Sequence, residues 1–442
     1  MLPVRLVPGL MLDNALVIVL AGGAGERLFP LTRERAKPAV YFGGPYRIVD
    51  FVLSNCVNSG FRRVFIATQY KSLSLNRHIR QAWTVVSEEL GEFIEILPPQ
   101  KRVGDNWYLG TADAVYQNLY SIRRENPAHV LVLAGDHVYK MDYGRLLRFH
   151  KEQQASVTIA AIDVPRSDAS RFGVLDVGDR GRVRGFQEKP ADPPGMPGAP
   201  DQSFVSMGIY VFDTDVLIEA LRADARRESA HDFGRDIIPT LIRTAEVYAF
   251  PFTDENRKAD KYWRDIGTLD AFYEANMDLV QVNPEFNLYD PLWPVRTHQV
   301  QAPPAKFVFA DEGQRCGQAL DSIVSTGCIV SGSRLVGSIL GPNVRVHSFC
   351  LIERSLLMPG VRVHRHARIR RAIIDRDVEI PRGALIGYDP VEDARRHTVT
   401  EQGVVVVTSG EEPVIAPIST EALAFEHDAD RRGSRAGGEG ES

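Results

Sequence analysis

At 442 residues, with 44% hydrophobic and 25% charged side chains, the chain is longer than one hydrophobic core usually supports and apolar enough to bury two. A net charge of −5, without a concentrated basic stripe through residues 1–340, argues against nucleic acid as a partner, and no apolar run approaches the ~20 residues that span a bilayer. Four widely spaced cysteines without a C-x-x-C pair (Cys56, Cys316, Cys328, Cys350) point to reduced thiols and a cytoplasmic protein, and residues 1–13, broken by Pro3, Pro8 and Gly9, do not read as a signal peptide.

The first element is an apolar run, Ala15 to Leu20, that ends in Ala21-Gly22-Gly23-Ala24-Gly25-Glu26-Arg27-Leu28. Glycines let a backbone approach an anion and turn successive N–H groups toward it, so the pattern predicts a buried strand delivering a phosphate-binding loop. Leu28 stands where a dinucleotide fold needs its third glycine, and no Lys-Ser or Lys-Thr follows as in a P-loop. Taken alone, the stretch is equally a tight turn with no ligand.

Short apolar runs then alternate with helical patterns to about Val280, the signature of an α/β layer. Pro38 interrupts Arg35-Ala36-Lys37-Pro38-Ala39-Val40. A helix is predicted over 50–59 with Gly60 as its C′ residue, and a strand over 63–67. Thr111 reads as the N-cap of one helix carrying Val115, Leu119 and Ile122, a second loop-to-helix junction open to an anion. Val130 to Ala134 reads as a central parallel strand ending in Gly135-Asp136-His137, and ligands gather at such carboxyl ends. Strands over 156–164 and 204–212, helical patterns over 217–221 and 237–242, and a last helix opened by Tyr262-Trp263-Arg264-Asp265-Ile266-Gly267-Thr268 complete this region.

Five prolines between Asn283 and Lys306 exclude regular helix and mark a linker. Beyond it the period becomes 17. Ile329, Val346, Val363 and Ile380 form one column, Leu335, Ile352, Ile369 and Ile386 a second, and Leu340, Leu357 and Ile374 a third. Three aliphatic columns about six residues apart describe a prism of short parallel strands, a β-helix, which needs a partner surface to cap it. The tail is polar and Gly-rich and reads as partly disordered. The predicted boundaries are 14–282, 283–322, 323–410 and 411–442.

Asp136 and Asp265 are the candidate metal ligands, since Mg²⁺ takes few protein carboxylates and completes its shell with phosphate and water; by spacing alone, either one is more often a cap or turn residue. Lys37 and Lys189, each before a proline, are candidate phosphate charges, as is Arg27 in the loop itself. His231 reads as a helix-start histidine satisfied by Asp232. The absence of a Ser/His/Asp triad or a Cys/His cluster points to positioning and charge stabilisation as the chemistry.

The ordered set Leu20-Ala21-Gly22-Gly23-x-Gly25-x-Arg27-Leu28, Arg35-Ala36-Lys37-Pro38-Ala39-Val40, Asn106-Trp107-Tyr108-x-Gly110-Thr111, Gly135-Asp136-His137, Glu188-Lys189-Pro190, Ser206-Met207-Gly208 and Tyr262-Trp263-Arg264-Asp265 resembles the sugar-phosphate nucleotidyltransferases, and within them the bacterial glucose-1-phosphate adenylyltransferases, over residues 14–407. The resemblance implies a Rossmann-like domain with a mixed, mostly parallel sheet, followed by a left-handed parallel β-helix, in a homotetramer. It implies attack of glucose 1-phosphate on the α-phosphorus of ATP, with Arg27, Lys37 and Asp136 catalytic and Mg²⁺ on Asp136 and Asp265. ATP would meet Leu20, Ala21, Gly22, Gly23, Gly25, Gln69, Trp107, Gly110 and Thr111, and glucose 1-phosphate would meet Tyr108, Gly173, Glu188, Lys189 and Ser206. Arg35, Tyr41, Arg47, Arg124, Arg395 and Arg396 match positions for anionic effectors. Glu34 stands where enterobacterial members carry a lysine for a sugar bisphosphate, and a carboxylate there repels that ligand.

Overall fold

The computed structural model describes residues 14–23, 25–99, 107–258, 260–311, 315–410 and 414–415. The expectations for residues 1–13 and for the tail beyond 415 lie outside the described residues. The centre of the first domain is the strand Ala15–Leu20, which pairs in parallel with Arg63–Ala67 on one side and His129–Ala134 on the other. Phe93–Leu97 extends the parallel set beyond Arg63–Ala67. Past His129–Ala134 the sheet turns antiparallel through Gln202–Asp213, giving a nine-stranded mixed sheet.

Both faces of the central strand are covered. Val17 and Val19 enter one core with Leu131 and Leu133, while Leu16 and Ile18 enter another with Val130 and Val132. Burial on both sides explains why these strands read as continuous rather than alternating apolar runs. Each such side chain contributes about 1.5–3 kcal/mol relative to exposure. Because the chain continues from the central strand to one side and returns on the other, the carboxyl ends of Ala15–Leu20 and His129–Ala134 bound a crevice at the switch point.

The helix predicted from 50 runs over Ile48–Asn58. It begins two residues early because Asp50 reaches back to the backbone N–H of Arg47 (2.8 Å). Gly60 closes it at φ 89°. The helix predicted behind Thr111 is instead two, Thr111–Tyr116 and Leu119–Glu125, with Gly110 rather than Thr111 at the N-cap. The Thr111 hydroxyl is engaged elsewhere, donating to Asp232 and accepting from the Phe233 N–H.

In the second domain, parallel ladders stack as three walls of a prism, with Leu335, Ile352, Ile369 and Ile386 in register on one wall and Leu340, Leu357 and Ile374 on another. The remaining column differs by one residue: Val330, not Ile329, pairs with Val346 and points inward. The corner between Val330 and Leu335 is one residue shorter than its counterparts and turns at Gly332 (φ 52°), so the first coil does not follow the 17-residue period. The third wall is apolar on both faces. Leu340, Leu357, Ile374 and Val407 fill the prism, while Ile339, Leu356, Ile373 and Val406 face outward into a core shared with Phe42, Phe51, Phe272 and Tyr273 of the first domain. That shared core covers one side wall of the prism.

Candidate active site

Two clefts meet at the carboxyl ends of the central strands. The larger, about 740 Å³, is lined by Leu20, Gly22, Gly23, Gly25, Arg27, Lys37, Gln69, Tyr70, Tyr108, Gly110, Thr111, Asp136 and Gly267, among others. The smaller, about 240 Å³, includes Arg27, Asp136, His137, Arg171, Gly173, Glu188, Lys189, Ser206 and Asp265. Arg27 and Asp136 line both.

The loop after the first strand reaches this junction because of its backbone. Gly25 has φ 67°, and a Cβ there would come within 2.9 Å of the Lys37 Cβ, so glycine is required both for conformation and for space. The turn Glu26–Leu28 follows and holds Arg27 at the mouth. Gly110 is required for close approach alone, since a Cβ would lie 2.3 Å from the carbonyl oxygens of Ala230 and His231. The His231 carbonyl takes the N–H groups of Ala112 and Asp113, so the junction expected to be open to an anion is already satisfied by the backbone.

Lys37 organises the junction. Its Nζ donates to Asp136 Oδ2 at 2.8 Å and to Asp265 Oδ1 at 3.4 Å. Burial alone would lower the ammonium pKa, but the two carboxylates outweigh it and raise it. Burial likewise pushes the Asp136 carboxyl up, and Lys37, His137 and Arg27 more than reverse this, holding it well below the usual carboxylate range. His137 Nε2 lies 3.6 Å from Asp136 Oδ1 and 3.8 Å from Asp265 Oδ1. The two aspartates are brought together by the antiparallel pairing of Trp263–Asp265 with His137–Tyr139, in which Asp265 opposes His137. Two carboxylates converging on one cation at the edge of a cleft form the hard-oxygen donor set that a divalent ion such as Mg²⁺ takes, so the residues fit one.

Of the residues expected to bind the sugar phosphate, Gly173, Glu188, Lys189 and Ser206 line the smaller cleft together. Tyr108 lines the larger one, its hydroxyl accepting from Asn118 at 2.9 Å. Lys189 has φ 49° and sits 3.2 Å from Glu188. On the nucleotide side, the Gln69 amide donates weakly to the Tyr108 carbonyl (3.4 Å), and Trp107 stacks on Tyr70 at 5.7 Å. Ala21 is buried behind the loop, its N–H bonded to the Ala67 carbonyl. Tyr70, His137 and Arg171 were missed by sequence reasoning; only His137, adjoining Asp136 in the motif, carried a local signal.

The effector candidates lie on separate elements, with Arg47 and Tyr41 in contact. Arg35 is buried and gives both terminal nitrogens to Asp375 of the β-helix (2.8 and 3.0 Å). Arg47 is held by the Ala39 carbonyl, Ser74 and the Tyr41 hydroxyl, with its guanidinium 4.6 Å over the Tyr41 ring. Arg395 and Arg396 lie on the helix Pro390–Arg396 and face Glu392. Arg124 is exposed on the helix Leu119–Glu125. His231 departs from its expectation: its Nδ1 meets Asp224 at 2.7 Å, while Asp232 caps the turn that follows through the N–H groups of Gly234 and Arg235.

Residues 16–282 match the nucleotidyl transferase family, and residues 303–407 match the GlmU-like C-terminal hexapeptide family. The chain is 59% identical over 398 residues to a glucose-1-phosphate adenylyltransferase of Koribacter versatilis, covering 89% of this chain and 95% of that protein. It is 54% identical over 415 residues to one from Rhodopirellula baltica, covering 93% of each chain. A glucose-1-phosphate adenylyltransferase 2 of Alkalilimnicola ehrlichii is 54% identical over 395 residues, 89% of this chain and 93% of that one. With likeness of this extent running through both the loop-bearing sheet and the prism, the chain belongs to the glucose-1-phosphate adenylyltransferase family.

Proposed function

We propose that the protein transfers the adenylyl group of ATP to glucose 1-phosphate, releasing pyrophosphate and forming ADP-glucose for α-glucan synthesis. The observation that carries this reading is the junction of two clefts at Arg27 and Asp136, with a glycine loop on one side and Lys189 on the other. In this account the triphosphate lies along Gly22 to Arg27, where backbone N–H groups and a guanidinium oppose its charge. The Tyr70–Trp107 stack offers an aromatic face to a purine. Lys189 and Ser206 hold the sugar phosphate so that its oxygen approaches the α-phosphorus in line, a positioning task worth several orders of magnitude in rate.

Lys37 keeps Asp136 ionised and, bonded to both carboxylates, holds Asp136 and Asp265 at the junction, and Arg27 offsets charge building on the departing pyrophosphate. Asp136 and Asp265 would hold a Mg²⁺ ion, which would supply Lewis-acid stabilisation of the phosphate oxygens. The division into a catalytic unit, linker, prism and tail, and a homotetrameric assembly, belong to the same proposal. So does regulation by anionic metabolites through Arg35, Tyr41, Arg47, Arg124, Arg395 and Arg396. Glu34, exposed one residue before Arg35, disfavours a sugar bisphosphate, so fructose 1,6-bisphosphate is expected to activate weakly.

The test is pyrophosphate release with ATP, UTP, GTP and dTTP, each against glucose 1-phosphate and mannose 1-phosphate. ATP with glucose 1-phosphate is expected to give the highest kcat/KM. Faster turnover with UTP or dTTP would overturn the assignment of the base.

A further inference from the structure

His129 is the first residue of the strand His129–Ala134, and its backbone partner on the neighbouring strand is Asp213, the last residue of Gln202–Asp213. His150 reaches the same point from the last turn of the helix Tyr143–Glu152. We propose that His129 Nδ1, His150 Nε2 and a carboxylate oxygen of Asp213 form a binding site for a divalent transition metal, with zinc the ion that two imidazoles and one carboxylate favour.

The geometry carries the proposal. His129 Nδ1 lies 3.1 Å and His150 Nε2 3.3 Å from the same Asp213 oxygen, and all three atoms are within 4.8 Å of one another. A tetrahedral zinc with Zn–N bonds of about 2.0–2.1 Å needs ligand atoms separated by about 3.3 Å, so two of the three edges are already in place. His150 is buried, and its other nitrogen, Nδ1, meets the hydroxyl of buried Thr158 at 2.9 Å. As it stands Nε2–H donates to Asp213; a metal ion that takes the place of that proton leaves Nδ1–H to donate to the Thr158 oxygen, the outer hydrogen bond that orients metal-binding histidines. Asp213 is ready to serve as an anion. Burial pushes its carboxyl up, but hydrogen bonds with His129 and His150 outweigh this and hold it well below the usual carboxylate range.

Asp213 also lines a cleft of about 1040 Å³ with Arg123, Asp215, Glu219, Arg222 and Arg226, and its half-exposed carboxylate is open to water. The site is remote from phosphate transfer. His129 opens the strand His129–Ala134 and Asp136 lies two residues beyond its far end, roughly 20 Å away at ~3.3 Å per residue.

The full-length chain, stripped of metal, is dialysed against buffered zinc and analysed for bound metal, and in parallel titrated with Co²⁺ and followed by visible absorption. One zinc per chain, a tetrahedral Co²⁺ band and a higher Tm with zinc are expected. His129→Gln and Asp213→Asn, checked for folding by circular dichroism, are each expected to weaken binding at least 10-fold, and Thr158→Val to weaken it about 10-fold or more. Asp265→Asn should leave the Co²⁺ band unchanged. Absence of stoichiometric zinc in the unaltered chain, or undiminished binding in both His129→Gln and Asp213→Asn, would overturn the proposal.

Discussion

Arg35 of the first domain and Asp375 of the β-helix form a buried, two-pronged ion pair, with NH1 to Oδ1 at 2.8 Å and NH2 to Oδ2 at 3.0 Å. Two residues further on, Lys37 reaches Asp136. A single short segment therefore joins the domain interface to the charged junction. The pair is 3% and 12% exposed, so removing one partner strands a charge in the interior.

Asp375→Ala is expected to cost about 3–5 kcal/mol in chemical denaturation, because Arg35 remains buried without its counter-charge. Arg35→Met with Asp375→Leu should recover most of that loss. If the single variant is as stable as the parent, the pair does not hold the domains together.

Separate clefts predict separable kinetics. Lys189→Ala is expected to raise the KM for glucose 1-phosphate about 10-fold or more with little change in the KM for ATP, since a charge-assisted contact contributes about 1.5–3 kcal/mol. Gln69→Ala should show the opposite preference. Initial rates with each substrate varied in turn decide it, and equal effects on both KM values from Lys189→Ala would count against two clefts.

The Lys37–Asp136 pair sets a pH dependence. Lys37 has a raised pKa in the folded state, so its contribution to stability is fully present below about pH 10.5 and is lost as pH rises through the folded value. Asp136 has a depressed pKa, so its contribution is present above about pH 4 and is lost as pH falls toward the folded value. The gap in Tm between the parent and Lys37→Met is therefore expected to be flat from about pH 5 to 9 and to narrow below about pH 4. A gap that widens on acidification contradicts the pairing.

Thiol chemistry offers a check on the core. Cys56, Cys328 and Cys350 are buried, and burial pushes the thiols of Cys328 and Cys350 up to about 11, while Cys316 is partly accessible. Under native conditions near pH 8, iodoacetamide is expected to modify Cys316 and spare the other three, as read by peptide mass spectrometry. Rapid labelling of Cys350 would mean that the prism opens.

Much of this was legible in the chain. The run Leu16 to Val19 marked a strand covered on both sides, and the columns at Leu335 and Leu340 marked two prism walls. The doubled aliphatics Ile339-Leu340, Leu356-Leu357 and Ile373-Ile374 also held the docking face in plain sight, because the other two walls alternate with arginines such as Arg345, Arg362 and Arg368. What misled was local. A one-residue deletion at the Gly332 corner moved Val330 into the place expected for Ile329. Thr111 has a capping side chain, but the contact of Gly110 with His231 drew its hydroxyl to Asp232. Pairings that close over long sequence distances, such as Lys37 with Asp136 and Asp265, or Arg35 with Asp375, leave no periodic trace.

The central claim is that phosphate charge is stabilised at Asp136, and one measurement addresses it most directly: pyrophosphate release from ATP and glucose 1-phosphate by Asp136→Asn beside the unaltered protein. Loss of several kcal/mol of transition-state stabilisation predicts a fall in kcat of about 10²–10³-fold in a protein that stays folded by circular dichroism, its Tm lowered only by loss of the Lys37–Asp136 pair. Full turnover in a folded Asp136→Asn protein would contradict the account.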